Sequence, residues 1–399
     1  MKTLLYATYV SPFPTNSGER IRIINLIQAL SQLGYRVEAF VGNDDGADLA
    51  RHSGDQVRFH QIPFLWPRLR QQADLYFRPH ADFIRQVSSR HAATPFHAAI
   101  LDYGFIGAQI RPLTALGIPV ILGTHNVESA LTGQTPKSSF VGRAAIRLRH
   151  AVEFLHERTF FGAADAVMCV SEEDRSVYRR FIPASRLHVI PNFVNIPDCY
   201  GEQERAHRIV MTGSFTNFQN SQGLRWFVDQ VWDNTLCAKA ELCVAGKGSD
   251  GAVRDLGKID GVIGLGPRQD LLSEIASARC AIVPLFLGGG TRIKCLEAMA
   301  VRTPVVTTSK GCEGIAHEGT FWVADTAAAF RNAILDVFAD EDCARARAAE
   351  ARAVFDRIYS LPANVSGLGR MVADAVEVHA GRKRNGGGAV SARRPAKAA

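Results

Sequence analysis

The sequence predicts an α/β protein made of two Rossmann-like, doubly wound domains that face each other across a cleft. Short apolar segments alternate with helical stretches in both halves of the chain, which is typical of parallel sheets covered by helices on both faces. The alternation breaks near the middle of the chain, and its 399 residues are enough for two domains. In the second half, a glycine-rich loop joins a strand to a helix.

The first half starts with a short buried strand and a helix of apolar residues at helical spacing. The strand covers residues 3–7, and the helix covers residues 21–33 and stops at Gly34. Further strands are predicted at residues 35–41, 98–101, 120–122 and 166–170. Together these elements predict an N-terminal domain over residues 1–191.

A polar stretch that contains Pro197 interrupts this rhythm, and we place a linker at residues 192–207. Strands then restart at residues 208–213 and recur at 241–244, 262–263, 281–285 and 303–306. They predict a second domain at 208–342, C-terminal helices at 343–380 and a disordered basic tail at 381–399. Two such domains place a ligand cleft at the carboxyl ends of both sheets.

Composition narrows the class of protein. No apolar run reaches the roughly 18–20 residues needed to cross a bilayer, and Pro12 and Pro14 interrupt what could otherwise begin a signal peptide. We therefore expect a cytoplasmic protein. The eight cysteines form no Cys-x-x-Cys pair, which favours reduced core thiols over a metal site.

The net charge of +7 is unevenly distributed. Residues 1–200 carry 21 Lys and Arg against 17 Asp and Glu, and the tail carries six Lys and Arg without an acid. A basic N-terminal half suits an anionic acceptor or a membrane surface, and residues 143–150 interleave cations with apolar residues as membrane-surface helices do. An ordinary solvated face is the open alternative. We expect no nucleic-acid partner.

The strongest chemical signal lies at residues 283–300, where a strand runs into Gly288, Gly289 and Gly290 before a helix begins. Glycines let backbone N–H groups approach a ligand closely. A helix N-terminus adds unpaired N–H groups and partial positive charge. The segment is therefore suited to binding a diphosphate.

Charged side chains follow directly after this loop. Arg292 and Lys294 lie in the first helical turn, where the helix dipole disfavours cations unless an anion is bound nearby. Glu297, one turn further, is placed to accept hydrogen bonds from sugar hydroxyls. A glycine-rich turn followed by a solvated glutamate is the alternative interpretation.

This segment, together with residues 302–308, resembles the donor-site signature of family 4 glycosyltransferases of the GT-B fold. Other segments resemble the N-terminal glycine loop of that family, the strand end with its active-site histidine, and the end of its first domain, at residues 11–22, 124–128, 164–172 and 189–192. The resemblance spans roughly residues 3–370 and is strongest to sugar transferases of bacterial exopolysaccharide systems.

The resemblance implies a hexosyltransferase-type enzyme that moves a sugar from a nucleoside diphosphate sugar to a glycan or lipid-linked acceptor. It implies retention of configuration, no cofactor and no metal. It assigns His125 a polar contact to the transferred sugar. From their place beside the glycine loop, Arg292 and Lys294 are expected to stabilise the departing diphosphate. The donor-binding residues expected are Gly18, Gly213, Ser214, Asn217, Arg268, Gly288, Gly289, Gly290, Thr291 and Glu297.

Weaker candidates lie on the N-terminal half. Asp102 and Glu128 are predicted acceptor-binding residues, although a structural aspartate or a solvated glutamate explains each equally well. A structural histidine is the alternative for His125. Arg22 could contact the acceptor or a phosphate, but a solvent-facing position is the ordinary expectation for such a residue.

Two departures from the family pattern concern the donor. Gly289 stands where the family carries the first of two glutamates, and Ser214 and Gln219 stand where it carries an arginine and a lysine. Arg292 and Lys294 are therefore expected to supply the missing positive charge. Two rival functions stay open: a sugar-nucleotide epimerase, because such enzymes share the GT-B fold, and a non-catalytic partner subunit, which the absent glutamate favours. A dehydrogenase is disfavoured because no Gly-x-Gly-x-x-Gly follows the first strand.

Overall fold

The computed structural model describes residues 1–15, 17–42, 48–62, 76–133, 140–200, 205–288 and 291–386. Within these ranges the first sheet has seven strands in the order β3-β2-β1-β4-β5-β6-β7, and every neighbouring pair is parallel. Its strands are β1 (Thr3–Thr8), β2 (Arg36–Val41), β3 (Val57–Gln61), β4 (Phe96–Asp102), β5 (Val120–Gly123), β6 (Ala166–Cys169) and β7 (Leu187–Val189).

The second sheet is also parallel and, in the described ranges, has the order β10-β9-β8-β11-β12-β13. Its strands are β8 (Ala206–Thr212), β9 (Glu241–Ala245), β10 (Val262–Gly266), β11 (Ala278–Val283), β12 (Val305–Thr307) and β13 (Trp322–Val323). The prediction of two Rossmann-like sheets is therefore confirmed.

Helices connect the strands and cover both faces of each sheet. Those of the first half are α1 (Gly18–Gln32), α2 (Ala81–Ala93), α3 (Ile110–Ala115), α4 (Glu128–Gly133), α5 (Phe140–Phe160) and α6 (Glu172–Tyr178). Those of the second half are α7 (Phe218–Gln230), α8 (Asn234–Cys237), α9 (Ser249–Asp255), α10 (Leu271–Ser277), α11 (Ile293–Ala300), α12 (Ala327–Ala339), α13 (Glu341–Val354) and α14 (Leu361–Gly386).

Strand β1 shows why the sheet is buried on both sides. Leu5 and Ala7 pack into one hydrophobic core, and Leu4 and Tyr6 pack into the other. Because successive strand residues point to opposite faces, a strand buried on both faces is apolar throughout rather than alternating. This burial stabilises the central strand from which both halves of the first sheet extend.

The strand orders identify where a ligand can bind. In the first sheet the order reverses between β1 and β4, and in the second it reverses between β8 and β11. Open parallel sheets bind ligands in the crevice at the carboxyl ends of the strands flanking such a reversal. The loops after these four strands therefore form the expected site.

The last two long helices belong to different sheets, which the predicted single block of C-terminal helices at 343–380 did not anticipate. Helix α13 packs on the second sheet through Ala351, whereas α14 packs on the first through Leu368 and Met371. His379 and Asp165 add a buried contact of 3.0 Å between α14 and the first half. The chain therefore returns to its N-terminal half.

Helix α14 ends at Gly386, so residues 381–386 are helical rather than part of a disordered tail. Residues 387–399 lie outside the described residues. The chain passes from the first half to the second near Val194 and returns to the first half near Tyr359. The backbone N–H of Val194 donates to the carbonyl of Tyr359 at 3.0 Å, so these two connecting segments lie side by side. In the described part of the chain, no helix combines the length and the apolar character that a membrane span requires.

Candidate functional site

The two sheets direct the carboxyl ends of their strands toward a cleft of about 1310 Å³ that lies between the halves. Predicted site residues that line this cleft are Gly18, His125, Gly213, Ser214, Asn217, Arg268, Gly288, Thr291, Arg292, Lys294 and Glu297. Gly289 and Gly290 lie outside the described residues. Asp102 is fully buried, which argues against a direct contact to the acceptor. Glu128 is half-buried and hydrogen-bonds to Asn126, a residue of the cleft lining, and its acceptor role stays a prediction.

The loop between β11 and α11 forms one wall of the cleft. Gly288 has a φ of 102°, a conformation that glycine adopts without the steric penalty of a side chain. The Arg292 guanidinium lies against Gly288, and its Nη2 is 3.5 Å from the carbonyl of Leu287. Burial lowers the pKa of Arg292. This arrangement keeps the guanidinium beside the N-terminus of α11.

Lys294 connects this wall to the end of β8. Its Nζ donates to Asn220 Oδ1 at 2.7 Å, and a methyl group on Gly213 would come within 3.0 Å of the same Nζ. Burial lowers the pKa of Lys294 to about 8. The ammonium group therefore occupies the space beside Ser214, on the segment where the family pattern places its cations.

Glu297 lies one turn after Lys294 on the same side of α11. Burial raises the pKa of Glu297 to about 7, and the nearby Lys294 ammonium opposes that increase. Near neutral pH this carboxyl group is therefore poised between an acceptor and a donor of hydrogen bonds. Such perturbed groups in a cleft are candidates for a functional role.

Two neighbouring side chains fix the position of the His125 ring. Its Nε2 is 3.1 Å from Oδ1 of the fully buried Asp102, and its ring stacks on Tyr103 with centroids 3.7 Å apart. Burial raises the pKa of Asp102, but His125, the nearby Arg22 guanidinium and the Tyr6 hydroxyl together lower it, and the net pKa is lowered. The Tyr6 hydroxyl donates to the other carboxylate oxygen. Asp102 is therefore a buried partner that orients His125, because β4 and β5 are neighbouring strands.

Glu128 lies between Asn126, with which it hydrogen-bonds, and the charged side chains of α5. Burial, and then the carboxylate of Glu153, raise the pKa of Glu128 to about 7. Glu157 nearby accepts hydrogen bonds from the backbone and hydroxyl of Ser129. The start of α4 is thus packed on α5, which explains why this glutamate at a helix start is half-buried rather than solvated.

Arg22 differs most from its sequence-based expectation of a solvent-facing side chain. It is only 2% exposed, and its Nη1 donates to Asn192 Oδ1 at 2.6 Å. Asn192 Nδ2 in turn donates to the carbonyl of Thr291 at 3.2 Å. Helix α1 is brought this close to α11 because Gly18 has no side chain, since an added Cβ would lie 3.1 Å from Ile293.

Several cleft residues were not predicted from the sequence. Asn192 lies in a segment that carried the family resemblance, whereas Asn220 and Tyr103 gave no local signal. Lys247 also lines the cleft. It stands between Gly246 and Gly248 directly after strand β9, and this pair of glycines was a sequence signal that could have identified it.

The described residues contain no group of three or more His, Cys, Asp or Glu side chains suited to a metal ion. Positive charge in the cleft comes instead from side chains of both halves. Arg268, a predicted donor contact, forms an ion pair with Glu274 at 3.2 Å. The lining is therefore polar and cationic at several separate places.

Comparisons with known proteins match each half of the chain. Residues 17–197 match the family model described as Glycosyltransferase Family 4, and residues 206–340 match the model described as Glycosyl transferases group 1. No functionally curated protein matches the chain.

Solved structures with a similar fold cover almost the whole chain. Sucrose-phosphate synthase from Thermosynechococcus elongatus has a TM-score of 0.74 at 19% identity, covering 94% of this chain and 98% of that one. HepE from Anabaena in complex with UDP has a TM-score of 0.67 at 15% identity, covering 94% and 100%. WaaG, a glycosyltransferase involved in lipopolysaccharide biosynthesis, has a TM-score of 0.65 at 15% identity, covering 95% and 100%. These similarities identify the fold as GT-B.

Proposed function

Because this chain belongs to the family 4 glycosyltransferases of the GT-B fold, we propose that it transfers a sugar from a nucleoside diphosphate sugar to a glycan or lipid-linked acceptor. The reaction would proceed with retention, without a metal or other cofactor, in bacterial exopolysaccharide synthesis. One observation carries the donor class: Lys294, from the first turn of α11, reaches across to Gly213 at the end of β8.

The donor diphosphate requires positive charge on the second half of the cleft. It brings about two negative charges into a site of lowered dielectric, where unpaired charge is costly. Arg292 beside Gly288 and Lys294 beside Gly213 supply this charge at the N-terminus of α11. Structures of HepE hold UDP and UDP-glucose, so UDP-hexoses are the first donors to test.

The chemistry then follows from where charge develops. The bond between the anomeric carbon and the phosphate oxygen breaks, and the diphosphate leaves with the electron pair. The acceptor oxygen bonds to the anomeric carbon and gives its proton to the departing phosphate. Arg292 and Lys294 stabilise the leaving charge, and His125, oriented by Asp102, contacts the transferred sugar.

The acceptor half of the proposal concerns α5. Leu148, Phe154 and Leu155 are 67%, 45% and 57% exposed on this helix, and Arg147, directly before Leu148, is also exposed. The guanidinium of Arg158 lies 5.3 Å from the Phe154 ring centre. Apolar side chains bordered by cations suit the inner face of an anionic membrane, where a lipid-linked acceptor would be presented.

Flotation with vesicles containing an anionic phospholipid tests this membrane contact. Protein truncated after residue 386 should float at low salt, and Leu148→Ser with Leu155→Ser should abolish flotation. Val323→Ser, which replaces a 40% exposed apolar residue of the other half, is the matched control. An absence of salt-sensitive flotation in the parent protein would exclude the proposed contact.

A panel of nucleotide sugars tests the reaction itself. A transferase releases free nucleoside diphosphate slowly without acceptor and faster with one. An epimerase would convert the donor without releasing nucleotide, and a non-catalytic subunit would do neither. Proton NMR of the product gives its anomeric configuration. An inverted product would contradict retention and would instead assign His125 the role of base for the acceptor hydroxyl.

A further inference from the structure

The buried guanidinium group of Arg22 has hydrogen-bond donors for which the described residues provide no acceptor. Its side chain lines the cleft and is 2% exposed, with one hydrogen bond, from Nη1 to Asn192. Among the described residues, neither Nε nor Nη2 of Arg22 has a hydrogen-bond acceptor. A buried guanidinium with two unsatisfied donors costs stability, and such a cost is commonly offset by a function.

A second unsatisfied group lies in the same cleft, on the other half of the protein. Thr291 is 6% exposed and lines the same cleft, and its Oγ1 has no partner within the described part of the chain. Asn192 bridges the two residues, because it accepts from Arg22 and donates to the Thr291 carbonyl at 3.2 Å. Asn192 therefore joins the Arg22 side chain to the backbone of Thr291 across the cleft.

We propose that Arg22 and Thr291 together form an oxyanion site that takes the sugar-proximal phosphate of the donor diphosphate. This inference rests on the proposed function. The Nε and Nη2 atoms of an arginine form a planar fork that matches two oxygens of a phosphate. The threonine hydroxyl adds a third donor. The N-terminus of α11, which begins two residues after Thr291, contributes partial positive charge.

The arrangement makes the two halves of the protein share one anion. Arg22 lies on α1 of the first half. In the second half, Arg292 directly precedes α11 and Lys294 lies in its first turn. A nucleoside monophosphate lacks the sugar-proximal phosphate, so it has no group that could bind Arg22. Arg22 therefore provides the preference for a diphosphate over a monophosphate and couples donor binding to the approach of α1 and α11.

Isothermal titration calorimetry tests this directly. The probe is whichever of UDP, GDP, ADP and dTDP binds the wild-type protein most tightly, together with its monophosphate. Arg22→Met should weaken diphosphate binding about 10- to 100-fold and leave monophosphate binding unchanged. Thr291→Val should weaken only the diphosphate, by about 3- to 10-fold. Arg58→Met, at an exposed arginine on β3, is the control and should change neither.

Thr291→Val also protects the test against misfolding. It is nearly isosteric, and the hydroxyl that it removes has no partner among the described residues, so the nucleotide-free variant should keep its thermal midpoint. If Arg22→Met does not fold, Arg22→Lys replaces it, because lysine keeps the charge but lacks the fork.

Other outcomes would overturn the inference in distinguishable ways. If folded Arg22 and Thr291 variants bind the diphosphate as tightly as wild type, the oxyanion site is wrong while the proposed function stands. The same result with a raised KM for acceptor would assign Arg22 to an acceptor anion. Equal losses for diphosphate and monophosphate would make Arg22 a structural residue. Wild-type protein that binds none of the four diphosphates would refute the proposed donor class and this site together.

Discussion

Lys294 and Glu297 define a pH window for donor use. Burial lowers the pKa of Lys294 to about 8 and raises that of Glu297 to about 7. The proposed site needs the lysine protonated, to bind phosphate, and the glutamate ionised, to accept from sugar hydroxyls. Because kcat/KM reports the free enzyme, we expect a bell-shaped profile for the donor, with its maximum between about pH 7 and 8.

The size of the alkaline effect follows from the position of Lys294. An ammonium about 4 Å from a phosphate gains about 4 kcal/mol at an effective dielectric constant near 20. Desolvation offsets part of this, so we expect Lys294→Met to lose about 2–3 kcal/mol, or roughly 30- to 150-fold in kcat/KM near pH 7.5. Above pH 8 the wild-type value should fall toward that of the variant, since the wild-type lysine loses its proton there.

The same two groups have opposite effects on stability. Between about pH 8 and 10.5, native Lys294 has lost a proton that the unfolded chain keeps, so stability rises with pH. Between about pH 4.5 and 7, native Glu297 keeps a proton that the unfolded chain has lost, so stability falls as pH rises. A bound diphosphate should remove the first effect by holding Lys294 protonated.

Steady-state kcat/KM for the donor, measured from pH 6 to 9.5, is the assay. Lys294→Met should lose the alkaline limb and Glu297→Gln the acid limb, while Lys258→Met, at an exposed lysine of the same half, should keep both. Far-UV circular dichroism confirms that each variant is folded. An alkaline limb that persists in folded Lys294→Met, with near wild-type turnover, would refute the assignment of the diphosphate to this lysine.

Three further substitutions test the rest of the cleft. Arg292→Ala should cost about 2–4 kcal/mol in kcat/KM for the donor, more than loss of the neighbouring lysine, and an unchanged value would place the diphosphate elsewhere. Asp102→Asn should lower kcat more than it raises donor KM, because it removes the charge that orients His125; an unchanged kcat would make the pair purely structural. Gly18→Ala adds a methyl 3.1 Å from an isoleucine across the cleft and should raise donor KM several-fold, whereas Gly54→Ala, with open space around it, should not.

Local sequence was enough to predict the sheets and to identify the glycine-rich loop at which we propose that the diphosphate binds. Apolar runs, helix-stop signals such as Gly34 and the glycine-rich turn before α11 all act within a few residues, so they could be interpreted without knowledge of the partners. The resemblance to family 4 rested on the same short segments, and both family models agree with it. The alternation of cations and apolar residues at 143–150 was likewise visible in the sequence.

Contacts between distant segments could not be obtained in this way. The pairing of His125 with Asp102 depends on β4 and β5 being neighbours, and the burial of Arg22 depends on α1 meeting the residues before α11. The turning of Glu128 toward α5 and the return of α14 to the first sheet are of the same kind.

The sequence by itself therefore determined the fold class. It also identified the glycine-rich loop at residues 288–290 and the charged residues that follow it, because periodicity, turn chemistry and helix termini are local properties. Only the tertiary structure decided which side chains face the cleft and which lose their water. Burial and electrostatic interaction depend on all neighbouring elements at once, and those neighbours come from residues up to hundreds of positions away in the chain.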